Sequence, residues 1–203
     1  MVDPIVLLAF IPAALALNLT PGADMMFCLG QGVRAGPKAA WLASAGIATG
    51  GMIHVLMAGL GLSAVVASVP WAFDLIRWIG VGYLLWLAWR ALRPTPQSET
   101  GPVPPARQAF RAGLLVNLTN PKVILFVLAF VPQFVVPAAG SVLLQFAIFG
   151  AVIGVGGFVI NGLVGVFAGS LGQRLAKGSR VLDWITAGIF TALAARLALL
   201  EKA

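Results

Sequence analysis

Two matched interruptions of the apolar sequence constrain this chain more than any other feature. Asn18-Leu19-Thr20-Pro21-Gly22 and Asn117-Leu118-Thr119-Asn120-Pro121-Lys122 each lie inside a hydrophobic stretch long enough to enter a bilayer. Each places a proline, polar side chains and a nearby charge, Asp24 or Lys122, where hydrocarbon rejects them. Helices broken in this way survive in a membrane only against other protein or around a water-filled cavity. Paired breaks at corresponding positions of two halves are the sequence mark of a secondary transporter's binding site.

The stretches around the breaks are too long and too apolar for a water-soluble fold. Of 203 residues, 60% are hydrophobic and only 9% charged, against about 25% charged in a soluble domain. The fold class expected is an all-α integral membrane bundle of six helices, built from two inverted three-helix repeats with the first and fourth helices broken. The spans read as about 4–33, 40–66, 73–92, 110–134, 142–169 and 181–200. The first, if unbroken, would be roughly 45 Å long at about 1.5 Å per residue, more than the ~30 Å hydrocarbon core, so it must tilt, bend or project. Barrel strands are excluded, because the runs lack period-two alternation and far exceed about ten residues. The first apolar segment is read as a membrane helix rather than a cleaved leader: no Lys or Arg precedes it, and Asp3 has the wrong sign.

The net charge of +7 suggests a membrane topology rather than nucleic-acid binding, because the basic residues sit in short loops between apolar spans. Arg34 and Lys38 follow the first span. Arg90, Arg93, Arg107 and Arg111 border the third connection, and Arg174, Lys177 and Arg180 the fifth. The second connection offers only Arg77, and the fourth has no basic residue. Odd-numbered loops are then cytoplasmic and both termini periplasmic.

The chain is expected to form one transporter domain over residues 1–203. Repeat 1 covers about 1–93, a proline-rich linker about 94–107, and repeat 2 about 108–203. An offset of 106 aligns Gly50-Gly51 with Gly156-Gly157, Gly59 with Gly165, Trp78-Ile79 with Trp184-Ile185, and Gly82 with Gly188. It also aligns Leu87-Ala88-x-Arg90 with Leu193-Ala194-x-Arg196, while Pro21 and Pro121 match at an offset of 100. Asp74 and Arg77 open the third span, and Arg180 and Asp183 the sixth with signs exchanged.

Proline lacks an N–H and disturbs the preceding helical turn, so Pro21 frees the carbonyl of Leu17 and Pro121 that of Asn117. Asn18, Thr20, Asn117, Thr119 and Asn120 add amides and hydroxyls at the same depth. Freed carbonyls can accept from a substrate ammonium. The half-helix beginning after Pro21-Gly22 can hold a carboxylate at its exposed N–H groups. A zwitterionic amino acid meets both demands.

Asp24, costing about 2.5–3.5 kcal/mol near the bilayer centre, needs a cavity, a partner or a proton. It reads as a protonatable coupling site, an ammonium anchor, or a charge paired only with the helix dipole. Lys122 can pair with Asp24, bind a substrate carboxylate, or snorkel to the cytoplasmic interface. His54, the sole histidine, is either a proton relay or a packed, hydrogen-bonded group.

Cys28, the only cysteine, permits no intramolecular disulfide and reads as a small apolar residue. Gly46-x-x-x-Gly50 and Gly165-x-x-x-Gly169 read as helix-packing seams. Trp71, Trp78, Trp86, Trp89 and Trp184 read as interfacial anchors.

These motifs resemble the lysine exporter (LysE/RhtB) family of amino-acid efflux permeases over nearly the whole chain. Asn18-Leu19-Thr20-Pro21-Gly22-Ala23-Asp24 is similar to that family's Pro-Gly-Pro signature, with Ala23 where the second proline usually stands. The resemblance extends to Arg34-Ala35-Gly36, Gly46-Ile47-x-x-Gly50-x-x-x-His54 and Gly59-Leu60-Gly61-Leu62. It includes Phe110-x-x-Gly113-Leu114-Leu115-x-Asn117-Leu118-x-Asn120-Pro121-Lys122, then Phe126 and Pro132-Gln133-Phe134. It implies export of an amino acid or derivative from a bacterial cytoplasm, driven by the proton-motive force, with the homoserine/threonine-type branch nearest. One net charge moving through ~150 mV supplies roughly 3.5 kcal/mol, two to three decades of gradient.

The partners expected are a small amino acid, protons and lipid, with a homodimer through a glycine-rich face and no cofactor. The alternative, a divalent metal cation exporter, needs clustered Cys, His or carboxylate ligands, and the sequence holds one cysteine and one histidine. A membrane-bound enzyme lacks nucleophile–base spacing, a metal cluster and a nucleotide loop. An assembly subunit leaves the paired breaks unexplained.

Overall fold

The computed structural model describes residues 2–68, 70–93, 105–167 and 180–199. Most of the expected linker, Arg174 and Lys177 of the fifth connection, and Gly169 of the second glycine seam lie outside the described residues. So do the side chains of Trp71, Asp74, Arg77 and Arg196.

Every regular element among the described residues is helical. We label them α1 (Pro4–Leu19), α2 (Ala23–Ala35), α3 (Pro37–Ser68), α4 (Pro70–Ala91), α5 (Ala109–Leu118), α6 (Pro121–Ala129), α7 (Val142–Val166) and α8 (Arg180–Leu199), with short 3-10 turns at Ala106–Gln108, Val131–Phe134 and Pro137–Ala139. Stretches within α3 and α7, Pro37–Gly61 and Val142–Val166, are each long and apolar enough to cross a membrane. The pairs Pro4–Leu19 with Ala23–Ala35 and Ala106–Leu118 with Pro121–Phe134 qualify together, each bent by 55°. At 22 and 20 residues α4 and α8 are long enough, but they are not among the helices that qualify by length and composition together.

Both bends have the same local cause. A residue before proline is pushed from the helical region into extended backbone. Thr20, before Pro21, has φ −69° and ψ 117°; Asn120, before Pro121, has φ −79° and ψ 106°. Each helix stops one residue short of its pre-proline position or just before it, and the chain restarts at an angle. The turn from α2 into α3 is made by Gly36 at φ +83°, a conformation that favours glycine.

The long helices α3 and α7 lie antiparallel. Ser44 Oγ donates to the Phe158 carbonyl at 2.7 Å; toward one end Ala40 meets Gly165, and toward the other Gly59 meets Phe146. α5 runs alongside α3 so closely that a Cβ on Gly46 would strike the Phe110 carbonyl, and one on Gly113 the Ala43 carbonyl. The breaks dock reciprocally. Asn117, in the second, sits over Gly50, where its Oδ1 is 2.8 Å from the place of an added Cβ. Asn18, in the first, sits over Gly156-Gly157, with its Nδ2 2.8 Å from an added Cβ on Gly156.

An aromatic cluster of Phe10, Phe126, Phe130, Phe134 and Phe149 fills the angle between α1, α6 and α7, with ring centroids 4.6–6.0 Å apart. It occupies one side of the two breaks. The same buried cluster continues into α4 and α8 through Leu84, Leu87, Ala187 and Phe190, and these two helices pack against each other where both border a cavity.

Candidate binding chamber between the two breaks

In an unbroken helix the Leu17 carbonyl would accept from the N–H of residue 21, which is proline. Instead the Lys122 ammonium, from the other break, donates to Leu17 O at 3.1 Å and Thr20 O at 2.8 Å. The first break thus presents two backbone acceptors to a cation, and the second supplies that cation. The breaks are chemically unequal. Asn117 O, expected to be freed, accepts from Asn120 N at 2.9 Å and lies 3.3 Å from His54 Nε2. Asn120 Oδ1 caps α6 by accepting from Lys122 N at 3.0 Å, and the Tyr83 hydroxyl ties Lys122 O to α4 at 2.9 Å. At the start of α2, by contrast, Gly22 provides no side-chain cap.

Asp24 is 7% exposed. Its Oδ2 accepts from Asn117 Nδ2 at 2.8 Å, a bond between the two breaks, and its Oδ1 is buried without a hydrogen-bond partner. Asn117 Oδ1 and Asn120 Nδ2 are likewise buried and unpartnered. Leaving such groups unpaired costs about 1–3 kcal/mol each, more for a charge, so the cluster is held together at the expense of stability.

Around it the chain leaves two spaces. A chamber of about 210 Å³ touches both prolines, together with Thr20, Asn120, Lys122, Arg90, Asp183 and Thr186. A void of about 20 Å³, room for one water, is bordered by Asn18, Asp24, Asn161 and again Lys122. Lys122 therefore stands between the chamber and the buried carboxylate.

The residues expected from sequence distribute unequally over these spaces. Thr20, Pro21, Asn120, Pro121 and Lys122 line the chamber, and Asn18, Thr20, Asp24 and Lys122 line the void. Gly22 leaves space for the lysine, since a Cβ there would lie 3.2 Å from Lys122 Nζ. Asn117 and His54 stand behind the wall: Asn117 holds Asp24, and half-buried His54 reaches a backbone carbonyl. Thr119 belongs to neither space. It is exposed, and its hydroxyl donates back to its own helix at Leu115 O, 2.9 Å away. Thr119→Ala should accordingly leave transport within about twofold of wild type, as measured by exchange of labelled amino acid in proteoliposomes.

Arg90, Asp183, Thr186 and Asn161 were not expected at the site. Arg90 reads in the sequence as a loop-edge charge, yet it is on the last turn of α4, over the Trp86 ring at 5.1 Å from its centroid. Two signals were available. Leu87 with Arg90, and Asp183 with Thr186, are three residues apart and so share a helix face, and Asn161 is one of two amides, with Gln145, in an apolar span.

Residues 15–201 match the family described as LysE type translocator. The chain belongs to the LysE-type translocator family. Membership makes it a membrane transporter rather than an enzyme. It is 29% identical over 200 residues to a leucine efflux protein of Enterobacter sp. (strain 638), covering 95% of this chain and 94% of that one. It is 31% identical over 171 residues to a homoserine/homoserine lactone efflux protein of Salmonella typhimurium, covering 83% and 81%. An uncharacterized membrane protein of Vibrio cholerae is 35% identical over 133 residues, just under two thirds of each chain, at 64% and 65%. No solved structure matches the chain. Among the described residues of this LysE-type translocator, no group of three or more His, Cys, Asp or Glu side chains is placed to hold a metal ion.

Proposed function

We propose that this LysE-type translocator exports a small amino acid or amino-acid derivative from the bacterial cytoplasm by proton antiport, with alternating access to one site between the breaks. The observation carrying this reading is that Pro21 and Pro121 border a single chamber with Thr20 and Lys122, and that the Lys122 ammonium already sits on two carbonyls of the first break, those of Thr20 and Leu17. The names of the relatives, leucine efflux and homoserine/homoserine lactone efflux, agree with such a cargo. The cargo's ammonium suits the Leu17 and Thr20 carbonyls with Asp24 behind them, and its carboxylate suits the uncapped start of α2.

The architecture proposed is one membrane domain of six spans, with repeats at about 1–93 and 108–203 inverted relative to each other and linked by 94–107. Reciprocal packing supports it. The offset of 106 that relates Gly59 to Gly165 also relates Ala40 to Phe146, and the Gly59–Phe146 contact is matched by Gly165–Ala40. Gly50-Gly51 and Gly156-Gly157 each receive the asparagine of the opposite break. Trp78 and Trp184 are both exposed, as are Ile79 and Ile185, and an added Cβ on Gly82 or Gly188 would meet nothing within 4 Å. That open glycine face is the surface proposed for a homodimer. Basic loop residues orient both termini toward the periplasm, in the cytoplasmic membrane. Divalent metal export is the weaker reading, because the described residues do not gather its ligands.

Efflux from loaded proteoliposomes tests the function. A pH gradient, acidic on the trans side, should drive labelled amino acid out of vesicles bearing wild type. Asp24→Asn should lower the driven rate about a hundredfold, because it removes the carboxylate that borders the inner void with the Lys122 ammonium. Undiminished driven efflux by this variant would remove Asp24 from the mechanism.

A further inference from the structure

We propose that Lys122 carries the coupling proton, and that its ammonium and the cargo's ammonium take turns on the Leu17 and Thr20 carbonyls. The inference rests on the antiport reading above and names the group that performs the coupling.

An antiporter works only if ion and cargo displace each other; if both occupy the site together, the gradient of one cannot drive the other. A single pair of acceptors provides such exclusion here. Leu17 O and Thr20 O lie 3.1 and 2.8 Å from Lys122 Nζ, so both are committed while the lysine is charged. An amino acid presents the same chemical group, a compact –NH3+ with three donors. It reaches Thr20 from the chamber that Thr20 and Lys122 border, and Leu17 lies just beyond, on the inner void that the same two residues also line. The buried Asp24 carboxylate has one oxygen without a partner and stays behind the acceptors in either case. The acceptor pair therefore holds one ammonium at a time, whichever molecule provides it.

Lys122 is placed for both tasks. Its flexible four-carbon stem borders the chamber and the inner void together, whereas Asp24 borders only the void and is bonded to Asn117. A proton arriving through the chamber meets the lysine before it meets Asp24. The absent side chain at Gly22 leaves Nζ room to swing. The charged or titratable groups facing Lys122 are Asp24 from α2, Arg90 and Tyr83 from α4, and Asp183 from α8; α1 offers carbonyls, α7 Asn161, and His54 of α3 is engaged at Asn117 O.

The cycle balances. Facing the cytoplasm, Lys122 –NH3+ gives one proton to water and becomes –NH2, releasing the two carbonyls. The cargo –NH3+ takes them and its carboxylate remains with it. Facing outward the zwitterion leaves, and one proton from periplasmic water binds the amine lone pair, restoring the clasp before return. One proton enters for each zwitterion exported.

The test measures apparent affinity against pH for purified full-length protein, using a labelled mixture of the proteinogenic amino acids and homoserine as probe. In wild type, affinity should weaken about tenfold for each unit of acidification over the range where proton and cargo compete. In Lys122→Met the dependence should be flat, and pH-driven accumulation in proteoliposomes should be lost. Lys122→Cys alkylated with 2-bromoethylamine, a lysine analogue with a less basic amine, should regain the slope at lower pH; wild type treated alike controls for buried Cys28. A tenfold-per-unit slope retained in Lys122→Met, or an aminoethylated variant whose slope coincides with wild type, overturns the assignment. Wild type that binds and transports none of the probes overturns the antiport reading itself, a result distinct from either.

Discussion

Gly46→Val should yield almost no folded protein. A Cβ at this position would meet the Phe110 carbonyl carbon at 2.9 Å and the Leu114 amide nitrogen at 2.8 Å, after striking the Phe110 oxygen itself. Both obstacles are backbone, so no rotamer change makes room, and α3 must part from α5. Overpacking a well-filled core costs about 1–3 kcal/mol even where side chains can adjust. Here the loss should be about 4 kcal/mol or more, because α5 also carries Asn117 and with it the hold on Asp24. Thermal unfolding in detergent followed by size-exclusion chromatography measures it. Gly61→Ala is the comparison: a Cβ there meets nothing within 4 Å, and alanine favours helix by about 1 kcal/mol, so that variant should elute like wild type. A monodisperse, wild-type-stable Gly46→Val would mean that the two helices are not in backbone contact.

Asn117→Leu should be nearly as damaging to transport, for a different reason. It removes the donor to Asp24 Oδ2, leaving a carboxylate whose other oxygen already has no hydrogen-bond partner. A hydrogen bond to a charged group is worth about 1.5–3 kcal/mol, and stranding the charge sets the cost near the top of that range. Stability should fall by about 2–3 kcal/mol and exchange by about a hundredfold. The double variant Asp24→Leu/Asn117→Leu separates the two losses, since replacing both partners of a buried polar pair by apolar groups is often close to neutral. It should recover most of the stability and none of the transport. Stability losses that simply add between the single variants would show that the two side chains are not coupled.

The breaks and the helices around them were readable because proline acts locally. The missing N–H and the crowding of the preceding residue fix Thr20 and Asn120 in extended backbone whatever surrounds them. Packing partners were less readable. The sequence pairs Gly50-Gly51 with Gly156-Gly157 as equivalent positions, but not that each receives an asparagine from the opposite break. Likewise Pro121 leaves the Asn117 carbonyl without its helical donor, yet Asn120 N and His54 supply others; only the three-dimensional approach of α3 provides the second. Arg90 and Asp183 escaped notice because charges near helix ends are ordinarily topological signals, and only the packing of α4 on α8 turns them toward the chamber.

The swapped docking of the two asparagines bears on how the protein is made. When α1 leaves the ribosome, the Asn18 amide has no acceptor until Ile153, 135 residues later, is synthesised, and the Leu17 carbonyl waits 105 residues for Lys122. The polar kink of the first break therefore draws its partners from chain made much later. Neither break is complete on its own; each lends an amide to the chain around the other, so the packing closes only when α7 is in place.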